Sequence, residues 1–259
     1  MQDIKEMCRS ASSSELFVGI PSCEIEEMVC RAQTLEFVSG DVIHSADDPI
    51  TQVLLLMDGR IKKSQFCENG QEVVLQLGVP GEIISEPTSL PRSKHSSTVL
   101  ALQHCKVLAW ESASFNAMVE RFPGLLKNVE LILKSRLAQL TQRFCEVSTK
   151  AISPRLAIGL VHLVDRIGER VDDHIELRVS QETLGQMTGM TSNSVSRVLS
   201  IWKGQGIVKL RRGIVEIHSL PHLLSHASLR DNLLIHKFFG PPCEMVRKFE
   251  PVRAYLTRS

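Results

Sequence analysis

The sequence predicts a two-domain α+β protein: an antiparallel β-barrel in front, a long helix behind it, and a small helical domain closed by a β-hairpin. Three observations carry this reading. Turn dipeptides punctuate short apolar runs from Thr34 to about Trp110, leucines recur every seven residues after Pro123-Gly124, and two short capped helices precede a basic hairpin after Val179. A length of 259 residues suits two domains of ordinary size. With 43% hydrophobic and 23% charged residues, the chain has enough apolar surface to offset its conformational entropy, which argues against disorder as the dominant state.

The barrel, placed at residues 15–111 with one or two leading helices over 14–32, rests on the turns. Ser39-Gly40-Asp41, Asp47-Asp48-Pro49, Asp58-Gly59, Asn69-Gly70 and Pro80-Gly81 separate the runs at regular spacing with no helices between them. Asn69-Gly70, between 61–66 and 73–77, is the strongest hairpin signal, because glycine accepts a positive φ without penalty.

From Ser112 helix formers dominate to about Ser148, interrupted at Phe122-Pro123-Gly124. Leu126, Leu133, Leu140 and Val147 hold a seven-residue period, Leu137 and Phe144 fill companion positions, and Glu130 interrupts the seam. Such a stripe packs on its own domain or zips against a copy of itself. The strict period and the flanking Lys127, Lys134, Arg136 and Arg143 favour dimerisation for residues 112–148. Residues 149–153 form a candidate hinge, after which Ser153-Pro154 opens a helix running to Gly168, with proline at its first position, where its missing N–H costs nothing.

Residues 149–221 carry the most informative segment. Ser180 caps a helix over 181–188, Gly189-Met190 breaks it, and Thr191 caps a second helix from Ser192 to about Lys203. Two short helices joined by a tight glycine turn are a helix-turn-helix. The hairpin of 208–210 and 214–217, with Arg211-Arg212-Gly213 at its tip, adds a wing. On the second helix Val195, Val198, Leu199 and Trp202 share one face; Ser192, Asn193, Ser196 and Arg197 begin the other. Short polar side chains let a helix lie close to base edges, and an arginine can bridge the O6 and N7 of guanine. Thr191 and Ser196 are placed to reach phosphates or bases, and Arg211 and Arg212 to meet phosphates.

Charge agrees with this division. The total is nearly balanced, but residues 1–149 carry 14 basic and 19 acidic groups, 150–221 carry 10 and 7, and 222–259 carry 6 and 3. An acidic front and a basic back point to a polyanion partner for the back half.

The segment Val179-Ser-Gln-Glu-Thr-Leu-Gly-Gln-Met-Thr-Gly-Met-Thr-Ser-Asn-Ser-Val-Ser-Arg-Val-Leu199 resembles the DNA-binding element of the cyclic-AMP receptor/fumarate–nitrate regulator (CRP/FNR) family. In the front half Ser39-Gly40-Asp41-Val42-Ile43, Met57-Asp58-Gly59-Arg60-Ile61, Glu68-Asn69-Gly70-Gln71-Glu72 and Pro80-Gly81-Glu82 resemble its cyclic-nucleotide-binding-type jelly roll. Phe122-Pro123 before a long helix resembles its dimerisation helix. The resemblance spans about 15–221 and implies a winged helix-turn-helix transcriptional regulator. It implies a homodimer on double-stranded DNA, reading a palindromic operator whose half-sites lie about 34–36 Å apart, with RNA polymerase as a further partner and a signal received in the barrel.

Two departures stand out. Asn193 occupies a position where the family commonly has Glu, which moves the base preference from cytosine toward adenine, while Ser196 and Arg197 match the fumarate–nitrate branch. In cyclic-AMP-binding members a Glu takes the ribose and an Arg-Ser/Thr pair the phosphate. Glu86 and Ser97 fit that pattern, but Ser96 replaces the Arg, and Thr141 keeps a hydroxyl on the helix where Leu140 replaces its neighbour. Losing a buried phosphate partner costs several kcal/mol, so tight cyclic-AMP binding is not expected and the effector or cofactor stays open.

Cys8, Cys23 and Cys30 lack the tight spacing of cluster ligands and read as ordinary thiols, with a thiol switch or a cluster as alternatives. His222 and His226, four apart, are weak evidence for a metal. Residues 222–259 form an extension with contacts to DNA, the partner subunit or polymerase as options. No nucleophile–base pair or phosphate loop appears, so no enzymatic role is expected. The absence of an apolar leader or of a span near 20 residues points to the cytoplasm and away from membranes. The competing reading is a ligand- or redox-sensing protein whose winged helix docks protein instead of DNA.

Overall fold

The structure is a computed structural model that describes residues 2–85 and 93–227, with side chains from Met7 onward. It falls into two compact units, 1–142 and 143–259.

The first unit opens with helix α1 (Gln2–Ala11), a 3-10 turn at Glu15–Phe17 and helix α2 (Ser22–Cys30). Seven strands follow: β1 (Gln33–Phe37), β2 (Val42–His44), β3 (Gln52–Asp58), β4 (Ile61–Phe66), β5 (Glu72–Gly78), β6 (Thr98–Ala101) and β7 (Cys105–Glu111). They form two antiparallel sheets, ordered β1-β7-β3 and β2-β6-β4-β5. The Asn69-Gly70 hairpin joins β4 to β5, with Gly70 at φ 77°.

Strand β3 shows why residues 53–57 are continuously apolar: both faces of its sheet are covered. Leu54 and Leu56 point between the sheets, with Ile61, Val99, Val107 and Ala109. Val53, Leu55 and Met57 point outward into a second core with Leu108, Trp110, Phe17 and Met28. The Trp110 indole donates to the Met28 carbonyl at 2.8 Å, so the ring's one polar atom is satisfied.

Helix α3 (Ser112–Arg121) and helix α4 (Pro123–Thr149) complete the front half. Leu125, Val129 and Ile132 of α4 close the outer core. Asn128, also buried, donates to the Leu16 and Val18 carbonyls, both at 2.9 Å. The face that buries α4 on its own domain is therefore offset from the heptad stripe.

In the second unit helix α5 (Ile152–Ile167) begins at Ile152, so Pro154 stands third in its first turn. A hairpin of β8 (Glu169–Val171) and β9 (His174–Arg178) follows. Helices α6 (Gln181–Thr188) and α7 (Ser192–Gly204) precede the wing strands β10 (Val208–Arg211) and β11 (Ile214–Ile217). The sheet order is β10-β11-β9-β8, so the β8–β9 hairpin, unforeseen in the sequence, extends the wing into four strands. Helix α8 (Leu220–His226) packs on α5 and buries Leu223, Leu224 and Ala227. The domain thus continues into what reads from sequence as the start of the extension. Among the described residues no helix is long and apolar enough to cross a membrane.

Candidate nucleic-acid interface

Local hydrogen bonds fix the two helices as their sequence demands. Ser180 accepts from the Thr183 N–H at 3.0 Å and Thr191 from the Ser194 N–H at 3.2 Å, each capping a helix start. Gly189 ends α6 in the left-handed region at φ 64°. Gly185 permits the tight turn, because a Cβ there would stand 2.6 Å from the Met190 carbonyl oxygen. Sequence reading passed over Gly185; its only signal is a glycine in the middle of a helix, where glycine is otherwise disfavoured.

Val195, Leu199 and Trp202 are buried to within 1% and anchor α7, with Val198 beside them. On the opposite face Thr191, Ser192, Asn193 and Arg197 are exposed and Ser196 is half-buried. The five hydroxyl, amide and guanidinium groups expected at the interface are thus brought to one end of one helix.

The turn has a second support that sequence reading missed. Arg155 of α5 donates to the Gly189 carbonyl at 3.3 Å and to the Val147 carbonyl at 3.0 Å. One guanidinium therefore ties the helix-turn-helix corner to the last turn of α4.

The wing differs from expectation at one residue. Arg212 is exposed at the tip beside Gly213 and makes no ion pair among the described residues. Arg211, expected to serve phosphates, is held instead by two carboxylates, Glu176 on β9 and Glu216 on β11. These glutamates are 6% and 3% exposed and stand directly opposite each other in the strand register. Two opposed buried carboxylates repel, and Arg211 between them offsets that repulsion. Lys209 lies 3.8 Å from Glu216 and Arg178 lies 3.6 Å from Glu176. Burial alone raises the Glu216 carboxyl, but the His218 hydrogen bond and the Arg211 and Lys209 charges outweigh it and hold the group below the ordinary carboxylate range. Buried glutamates are rare enough that sequence alone gave no reason to look for them.

The stripe on α4 is exposed in the single chain. Leu126, Leu133, Leu137, Leu140, Phe144 and Val147 show between 40% and 73% of their surface. These six apolar side chains line one helix and stay largely open among the described residues.

Of the candidate effector residues, Glu86 lies outside the described residues. Ser97 is fully buried at the start of β6, whereas the adjacent Ser96 is exposed. Thr141 is exposed and its hydroxyl donates back to the Leu137 carbonyl at 2.9 Å. A guanidinium does reach the barrel from α4, where Arg136 donates to the Ile83 carbonyl. Of the weaker histidine pair, His222 bonds Ser219 at 2.7 Å and His226 packs on Trp202, so each has a separate role.

Comparison with known proteins follows this division. Residues 34–122 match the cyclic nucleotide-binding domain and residues 154–225 the Crp-like helix-turn-helix domain. The chain is 26% identical over 212 residues to the transcriptional regulatory protein btr of Bordetella pertussis, covering 80% of this chain and 86% of that one. It is 25% identical over 205 residues to the cyclic AMP receptor protein of Thermus thermophilus, covering 79% and 92%. Among solved structures, the c-di-GMP responsive global regulator CLP of Xanthomonas campestris shares the fold with a TM-score of 0.70 at 16% identity, over 77% of this chain and all of that one. Both domains, in this order and with the helix-turn-helix intact, place the chain in the CRP/FNR family of transcriptional regulators.

Proposed function

We propose that the protein is a homodimeric, sequence-specific regulator that reads a palindromic site in double-stranded DNA through α7, under control of a signal received in the barrel. The observation that carries this reading is the exposed polar start of α7, with Ser192, Asn193 and Arg197 standing opposite the buried Val195, Leu199 and Trp202. Arg212 supplies a phosphate contact at the wing. Leu126, Leu133, Leu137, Leu140, Phe144 and Val147 form the seam to a second copy. Ser96 in place of an arginine leaves a cyclic phosphate without its usual counter-charge, so the signal is a ligand other than tightly held cyclic AMP. The protein acts in the cytoplasm with RNA polymerase as its further partner, as a regulator and not a catalyst.

The test is selection of bound duplexes from a random pool, followed by affinity measurements across a salt series. A palindrome with half-sites one helical turn apart is expected, with affinity falling steeply as salt rises. Arg197→Ala should cost about 1–3 kcal/mol on the selected site and relax preference at one base pair per half-site. Failure to bind duplex, or binding indifferent to salt and to Arg197→Ala, overturns the reading in favour of a protein-docking role.

A further inference from the structure

The end of the wing sheet farthest from the Arg212 tip holds a second cluster. Strand β9 starts at His174 and β11 ends before His218, and the pairing of Ile175 with Ile217 sets the two histidines side by side. Their rings stack at 4.9 Å between centroids, 22° from parallel. Asp173, in the β8–β9 turn, brings a carboxylate oxygen to 3.3 Å from His174 Nδ1. One ligand atom from each of Asp173, His174 and His218 lies within 4.8 Å of the other two.

The inner nitrogens of both rings face the buried carboxylates. His218 Nε2 lies 3.2 Å from Glu216, and His174 Nε2 lies 3.7 Å from Glu176, buried and without a hydrogen bond. At His218 the carboxylate behind Nε2 favours the tautomer with its proton inward and leaves Nδ1 as a lone-pair donor, whereas His174 Nδ1 hydrogen-bonds Asp173 through a proton that an incoming ion would displace. Each of the three residues thus has one ligand atom close enough to the other two to share an ion. In a tetrahedral zinc site with bonds of ~2.1 Å the ligand atoms stand about 3.4 Å apart, close to the spacing already present between Asp173 and His174. Glu176 and Glu216 are held by Arg211 together with Arg178 and Lys209, so they act as the outer support and need not leave it to hold an ion.

We propose that Asp173, His174 and His218 form a binding site for one borderline divalent ion, of which zinc is the type. Two imidazoles with one carboxylate favour such an ion over magnesium or calcium, which take oxygen ligands. The fourth position is open to water or to an outside ligand. The sensor half, the dimer seam and the DNA-reading face of α7 contribute no ligand to it.

The test uses the untagged full chain, kept reduced, titrated with Co²⁺ as a spectroscopic probe and then with Zn²⁺ in competition. One Co²⁺ per chain is expected, with weak visible bands, no sulfur-to-metal charge transfer, and displacement by Zn²⁺. Asp173→Ala and His218→Gln should each weaken binding at least tenfold. Asp173 is 87% exposed, so its removal leaves the fold intact. Glu216→Gln should weaken binding about 10–100-fold through the outer carboxylate alone. A strong sulfur-to-metal band, absence of stoichiometric binding, or full affinity in Asp173→Ala and His218→Gln together would overturn the proposal.

Discussion

Arg211→Ala removes the one cation among the described residues that touches both Glu176 and Glu216, and it leaves two carboxylates opposed across β9 and β11. Breaking a fully buried pair in this way costs about 3–5 kcal/mol. Arg211 is itself 49% exposed, so water screens part of that interaction. Lys209 at 3.8 Å, Arg178 at 3.6 Å and His218 at 3.2 Å remain to share the charge. The net loss should therefore fall to about 1–2 kcal/mol, localised on the wing sheet. Amide hydrogen exchange measures this strand by strand: β10 and β11 should open about 5- to 30-fold more readily, while helix α5 keeps its protection. Combining Arg211→Ala with Glu216→Gln removes one of the opposed charges and should restore part of the loss. Arg212→Ala, by contrast, breaks no internal contact and should leave exchange unchanged. Its effect should appear only in DNA binding, as a salt slope smaller by about 1 per chain. If Arg211→Ala leaves the strand amides protected and reproduces the DNA-binding defect of Arg212→Ala, then Arg211 is a phosphate ligand and the anchoring argument is wrong.

Three further outcomes are expected. Gly185→Ala forces a methyl to within 2.6 Å of the Met190 carbonyl oxygen, so the turn must open at a cost of about 1–3 kcal/mol, seen as a lower melting temperature and lost duplex binding. Leu137→Glu with Phe144→Glu alters side chains that are 66% and 73% exposed. Sedimentation should then show monomers whose circular dichroism is unchanged; retention of the dimer would place the seam elsewhere. Burial, then the charges of Arg143 and Arg166, push His162 down to about 4. The unfolded chain takes up this proton near 6.5 while the folded chain resists it. Stability should therefore hold above pH 7 and fall as pH drops from 6.5 toward 4, by at most about 3 kcal/mol. An equally steep melting-temperature profile in His162→Gln would assign that slope to other groups.

How much could be read in advance depended on whether local chemistry or distant partners fixed each feature. Strands β3 to β5 and both caps of the helix-turn-helix were legible, since Asn69-Gly70, Ser180 and Thr191 act on their own neighbours. The α4 stripe was half legible: its period of seven was plain, but whether it faced its own core depended on where Leu125, Val129 and Ile132 pack. Hairpin β8–β9 is not legible in the sequence, because Glu169, Arg170, Glu176 and Arg178 break the apolar alternation of a half-buried strand. The buried Glu176 finds its partner in Arg211, thirty-three residues beyond Arg178, which no local pattern reveals. For the same reason Arg211 looked like Arg212, although one is internal glue and the other is free. Residues 86–92, which include Glu86, lie outside the described residues, so the candidate effector residues are clarified less than those of α7.

The Arg155 bridge has a mechanical meaning. Its guanidinium grips the Val147 carbonyl with one nitrogen and the Gly189 carbonyl with the other. Val147 is the last member of the α4 stripe, and Gly189 is the hinge pin of the reading head. Within the second unit, one side chain therefore fastens the end of the long helix to the corner between α6 and α7, a two-pronged clamp a few ångströms long.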